Sequence, residues 1–137
     1  MTWLIDTNVL SELRKGDGAD AGVRAWFDGA AESELFTSVL VVGEIRRGIE
    51  RLRQRDVAAA LALEQWLMHI AFGFADRILG IDFAVAERWG RLNVPTAQPT
   101  VDGLLAATAL EHDLILVTRN VRDVERTEVR CLNPFEA

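Results

Sequence analysis

Four carboxylates stand at positions from which they could act together. Asp6 ends the short apolar run Trp3-Leu4-Ile5 and is followed by Thr7 and Asn8. Glu44 lies one to two turns into a helix that follows a second strand. Asp102 opens a helix leading into the strongest apolar run of the chain, and Asp123 and Asn120 follow that run. In a parallel sheet, residues after strands and the first turns of the following helices gather at the carboxyl edge, where open α/β sheets keep their ligand sites. The order of elements therefore permits all four acids to converge. Carboxylates that converge repel one another and call for a compensating cation. Oxygen donors with few imidazoles suit Mg²⁺ or Mn²⁺. Such a site suits phosphodiester hydrolysis, in which metal activates water and neutralises the leaving oxygen without a nucleophilic side chain. His69, His112 and the lone Cys131 lack the spacing of a zinc site.

Each acid also has a plainer reading. Asp6 is a natural helix N-cap. Glu44 is a potential ion-pair partner for a neighbouring arginine. Asp102 suits a helix N-terminus through the macrodipole, and Asp123 suits a turn. Only their meeting would separate the two sets of readings.

The elements that must position them alternate. Trp3 to Ile5 reads as a strand and Thr7 to Arg14 as a short helix, broken at Lys15-Gly16-Asp17-Gly18. A helix follows over Ala19 to Gly29, then a strand over Glu34 to Thr37. Ser38 caps the next helix, with apolar positions Val42, Ile45, Ile49 and Leu52. Asp56 opens a further helix whose expected buried stripe is Val57, Leu61, Leu67 and Ile70. Arg77 to Ile81 is a third strand, and Asp82 caps a helix through Val85, Trp89 and Leu92. Pro95 to Pro99 is a loop, and Thr100 starts a helix ending near His112. Leu114 to Thr118 is a buried strand, Val121 to Arg126 a turn or short helix, and Glu128 to Leu132 a last strand. Alternation of this kind predicts an α/β/α sandwich with a mainly parallel sheet of four or five strands and right-handed crossovers.

With 137 residues, half of them hydrophobic, the chain suits one domain spanning 1–137 with a sizeable core. The single cysteine and the absence of a basic, then apolar, N-terminal segment point to the cytoplasm. Ala58 to Phe74 reads as too short and too polar to span a bilayer. A net charge of −6 argues against a protein that coats nucleic acid.

The stretches Leu4-Ile5-Asp6-Thr7-Asn8-Val9-Leu10-Ser11-Glu12-Leu13, Ser38 to Ile49 with Gly43-Glu44-Ile45-Arg46-Arg47 at its centre, Asp102 to Ala109, Leu116 to Asn120 and Asn133-Pro134-Phe135 resemble the PIN-domain nucleases. Within them the chain is similar to the VapC-type toxins of type II toxin–antitoxin pairs, nearest the FitB-like branch. The resemblance implies a Mg²⁺- or Mn²⁺-dependent endoribonuclease with Asp6, Glu44, Asp102 and Asp123 as catalytic and metal-binding acids. Where the family usually has Asp-Phe, this chain has Asp123-Val124. Thr7, Asn8, Thr118 and Asn120 match supporting polar positions. The resemblance further implies an RNA substrate, a homodimer, no membrane, and a small separate antitoxin chain that binds DNA and lays its tail in the acidic groove.

Five arginines, Arg46, Arg47, Arg51, Arg53 and Arg55, lie on or just beyond the Glu44 helix, and helical spacing cannot put all on one face. Arg46 and Arg47, with Arg119, are the candidates for phosphate or antitoxin contact. A solvated helix surface, with Glu50 as internal partner, is the plain alternative. Trp26, Trp66, Trp89 and Leu67 fall on apolar stripes and are expected in the core. Two competing functions are a receiver-like phosphoacceptor, disfavoured because the only lysine, Lys15, lies in an early loop, and a non-catalytic PIN-like module that binds nucleic acid or a partner.

Overall fold

The computed structural model describes residues 1–136. Among these, five strands form one parallel sheet and six α-helices pack around it. The strands are β1 (Trp3–Ile5), β2 (Leu35–Ser38), β3 (Ile78–Leu79), β4 (Ile115–Val117) and β5 (Cys131–Leu132), in the order β3-β2-β1-β4-β5. The helices are α1 (Thr7–Leu13), α2 (Ala21–Gly29), α3 (Val39–Arg53), α4 (Val57–Phe74), α5 (Phe83–Leu92) and α6 (Thr100–Glu111). This is the α/β/α architecture expected from the alternation.

β1 is central because it is apolar on both faces. Leu4 and Ile5 are fully buried, and parallel partners flank them, with Leu4 opposite Phe36 of β2 and Leu116 of β4. A strand covered on both sides by helices gains nothing from alternation. Leu4 and Ile5 join Val9, Leu10, Val41, Ile49, Leu105 and Leu116 in one core.

Helix starts follow local chemistry. Asp6, Asp20, Ser38, Asp56 and Asp82 each cap a helix with a side-chain oxygen that accepts a backbone N–H, satisfying a donor the helix leaves orphaned. Because the parallel strands end at one edge, the caps and first turns that follow β1, β2 and β4 face that edge together.

Three elements depart from expectation. The third strand shrinks to Ile78–Leu79, since β2 offers it only the register Thr37–Ile78 and Ser38–Leu79. The last strand shrinks to Cys131–Leu132. Glu128 takes a left-handed φ of 62°, so the chain turns there instead of extending. The largest departure is α4. Val57 and Leu61 are exposed, and the buried face carries Ala60, Leu67 and Phe74. This helix is apolar nearly all round, so spacing alone cannot choose its inner face; packing against α3 and β2 does. Contrary to the sequence reading, Val57–Arg77 is long and apolar enough to match a bilayer span in length and composition. Here it packs on the sandwich and carries Glu64 in an ion pair to α3. The tryptophans Trp26, Trp66 and Trp89 are half-buried; Trp26 and Trp66 pack against the core.

Candidate active site

Asp6 is reached by a chain held at both ends of one residue. Its backbone N–H donates to Val117 of β4 at 3.0 Å, which fixes the exit from β1 beside the exit from β4. Its side chain then does two jobs. Oδ1 accepts the Thr7 backbone N–H at 2.7 Å, capping α1. Oδ2 accepts the Thr118 hydroxyl at 2.7 Å and, more weakly, the Asn8 amide at 3.5 Å. The residue is buried. Desolvation pushes its carboxyl up from the ordinary range, the donors Thr118 and Thr7 pull it down, and the charge of Glu44 pushes it up again; burial prevails.

Glu44 lies in the second turn of α3, half-buried, and its Oε1 accepts the Thr7 hydroxyl at 2.6 Å. Thr7 thus spends its N–H on Asp6 and its hydroxyl on Glu44, tying the two acids through one residue. Asp102 occupies the first turn of α6. The macrodipole there favours a charged carboxylate, yet Asp102 is pushed up to about 6. Burial is the chief cause, then the charges of Asp6, Asp123 and Glu44, and finally a hydrogen bond to Asp123. Asp123 is exposed in the short turn Val121–Asp123 that follows β4.

The charges of Asp6, Glu44 and Asp123 thus all act on Asp102, and Thr7 links Asp6 to Glu44 directly. The polar positions frame these acids. The Thr118 hydroxyl oxygen accepts the Asn120 backbone N–H at 3.0 Å, and the Asn8 side-chain Oδ1 accepts the Arg119 backbone N–H at 3.2 Å, closing the end of β4 onto α1. Asn120 contributes through its backbone.

The three predicted arginines part company. Arg46 is paired with Glu50 and Glu64 and is committed to the α3–α4 contact. Arg47 is exposed and, among the described residues, has no ion pair. Arg119 lies with its guanidinium carbon 4.3 Å from the centre of the Phe135 ring, a cation–π distance.

Sequence reasoning missed Gly103, Trp89 and Gln98. A Cβ at Gly103 would meet Gln98 Cβ at 3.2 Å and Trp89 Nε1 at 3.3 Å, so any larger residue requires these neighbours to give by a few tenths of an ångström. The available signal was a glycine inside a helix, which costs stability unless something approaches closely.

The donor set, four carboxylates with hydroxyl and amide oxygens beside them, fits a hard divalent cation. Among the described residues no three Asp, Glu, His or Cys side chains stand grouped closely enough to hold a metal ion together. That suits Mg²⁺, which keeps several waters and needs only one or two carboxylates.

The sequence profile described as the PIN domain matches residues 3–129. The chain is 30% identical to the Toxin FitB of Neisseria gonorrhoeae over 96% of its own length and 97% of the relative. It is 29% identical to the VapC ribonuclease Y4jK of Sinorhizobium fredii over 97% of each. The crystal structure of FitAcB from Neisseria gonorrhoeae matches with a TM-score of 0.90 at 29% identity, covering 99% of this chain and 100% of that one. Solved neighbours of the fold are toxin–antitoxin complexes, some bound to DNA.

Proposed function

The chain belongs to the PIN-domain family, and from that premise we propose that it is a Mg²⁺- or Mn²⁺-dependent endoribonuclease, the toxin of a cytoplasmic toxin–antitoxin pair. The single observation that carries the reading is the Thr7 bridge that ties Asp6 to Glu44 at the carboxyl edge of the sheet, with Asp102 in the first turn of α6. The similarity to a FitB toxin and a VapC ribonuclease supports both the reaction class and the pairing with an antitoxin. The proposed working form is a homodimer, with an antitoxin chain that covers the acidic groove and supplies the positive charge the acids lack.

Of Asp6, Glu44, Asp102 and Asp123, one or two would hold the cation directly and the others through its waters. When bound, it would lower the pKa of an attacking water and offset charge on the leaving oxygen. The chain's own residues do the rest. Thr118, Asn8 and the Thr7 N–H fix the rotamer of Asp6, and the Thr7 hydroxyl fixes Glu44. Arg47 and Arg119 are the proposed phosphate contacts, whereas Arg46 is occupied by Glu50 and Glu64.

The test uses the purified, antitoxin-free chain and end-labelled RNA. Cleavage is expected with Mg²⁺ or Mn²⁺, none with EDTA, and a loss of at least about 10²-fold in Asp6→Asn. Asparagine caps helices as well as aspartate does, so this variant keeps α1 while losing the charge. RNA bound but left intact by wild type, with binding unchanged in Asp6→Asn, would instead assign a non-catalytic binding module.

A further inference from the structure

The five arginines of α3 and its end divide between two faces of the helix, and the division has a use. Arg46, Glu50 and Arg53 stand at i, i+4 and i+7, one stripe. There they meet Glu64 of α4: Arg46 pairs with Glu50 and Glu64, and Arg53 pairs with the same two acids at 3.1 and 3.3 Å. This stripe is internally neutral, two arginines against two glutamates, and it fastens α3 to α4.

Glu44, Arg47 and Arg51 stand at i, i+3 and i+7, a second stripe, and Arg55, just past the end of the helix, follows Arg51 by four residues. All three of these arginines are exposed, and among the described residues none has an ion pair or a side-chain hydrogen bond. Gly48 sits between Glu44 and Arg51 on the same side, and the space where its side chain would stand is open. The stripe therefore begins at the acidic site and runs away from it for about 10 Å within the helix, at 1.5 Å per residue, with nothing raised between the acid and the guanidinium groups.

We propose that Arg47 and Arg51, extended by Arg55, form a track for the phosphates of a single RNA strand whose neighbouring bond lies at the acids. The inference rests on the nuclease reading for the identity of the strand and adds the surface that holds it. The chain carries a net charge of −6 and its site is a cluster of carboxylates, so a polyanion is repelled at long range and at the point of reaction. Binding then requires local positive charge that is not already spent on carboxylates. Arg46 and Arg53 are spent. Arg47 and Arg51 are not, and they share the flank of α3 that presents Glu44. Guanidinium groups suit phosphate oxygens through paired N–H donors.

The experiment measures anisotropy of a fluorescently labelled single-stranded RNA dodecamer with Mg²⁺ across a salt series, in an Asp6→Asn background so that the probe stays intact. Replacing an arginine that contacts a phosphate lowers the slope of log Kd against log salt by about 0.7. Arg47→Gln/Arg51→Gln is expected to lower it by about 1.4, and Arg47→Lys/Arg51→Lys to retain it. Arg53→Gln is expected to leave the slope alone while lowering the melting midpoint. Both Gln positions are exposed and unpaired, so a wild-type melting curve is the expected check on folding, and the single variants serve if the double one melts early. An unchanged slope in a folded Arg47→Gln/Arg51→Gln protein overturns the track. So would equal loss with Arg53→Gln, which would point to general charge. A reduced slope supports the track even if no cleavage is found. Metal-dependent cleavage with an unchanged slope removes the track and leaves the nuclease reading intact.

Discussion

Thr7 carries more of the site than its size suggests. Its backbone N–H holds Asp6 and its hydroxyl donates to Glu44 at 2.6 Å, so the geometry between two acids from different elements passes through one small side chain. Thr7→Val keeps the shape, keeps the N–H, and removes only the hydroxyl. A hydrogen bond to a charged group contributes about 1.5–3 kcal/mol, so kcat on RNA should fall about tenfold to a hundredfold while KM moves little. Thr7→Ser should restore most of the loss. Equal loss in KM and kcat, or no rescue by serine, would remove this positioning role. The same residue shows what sequence could and could not say. Asp6 was legible both as a helix cap and as a candidate ligand, and the structure has it capping α1 with one oxygen while the other faces Thr118. That Thr7 reaches Glu44, 37 positions away, depends on the adjacency of β1 and β2 and has no local signal.

At the level of elements, helix starts were readable and helix faces only partly so. Asp6, Ser38, Asp56 and Asp82 cap where the sequence placed caps, because capping is decided within a few residues. The inner face of α4 was not readable, since an all-round apolar helix takes its orientation from its neighbours. The fates of Arg46 and Arg53 were hidden for the same reason: their partner Glu64 comes from another helix. Gly103 is the case with a measurable consequence. The loop before α6 is pinned by the Asn93 amide donating to the Trp89 carbonyl at 2.7 Å and the Gln98 N–H donating to the Asn93 side chain at 2.8 Å. An added methyl would press on Gln98 Cβ, in a residue this loop holds by its backbone, and on the Trp89 indole. Gly103→Ala gains about 1 kcal/mol of helix propensity and loses about 1–3 kcal/mol to overpacking. The net expectation is a modest fall in melting midpoint, read by calorimetry. Activity should fall by at least about tenfold, because the methyl displaces the residue next to Asp102 and small misplacements are costly in a reacting site. Wild-type activity in a folded Gly103→Ala protein would show that α6 is free to shift.

On the scale of the whole molecule, the acidic cluster works against the fold that assembles it. Four surface acids behave conventionally: Glu12, Glu34, Glu50 and Glu64 are each held below the usual glutamate range, first of all by hydrogen bonds from cationic groups. Their stabilisation is present above the unfolded value and is lost as pH falls through the folded one. Asp6 and Asp102 have the opposite sign. Their carboxyls are raised in the folded chain, Asp102 to about 6 against an ordinary 3.8, so the native state holds protons that the unfolded chain releases. Their contribution is fully present below about pH 4 and is lost as pH rises through about 6. In EDTA, the melting midpoint of wild type should therefore decline relative to Asp102→Asn as pH is raised from 4.5 to 7. The comparison between the two proteins cancels the conventional acids, which both share. A cation that competes with those protons should act in the reverse sense. Mg²⁺ should raise the wild-type midpoint more at pH 7.5 than at pH 5, in accord with mass action on the native state, and should raise that of Asp102→Asn far less at either pH. If Mg²⁺ shifted both proteins equally, its binding would lie elsewhere, and the repulsion centred on Asp102 would have some other purpose than to receive it.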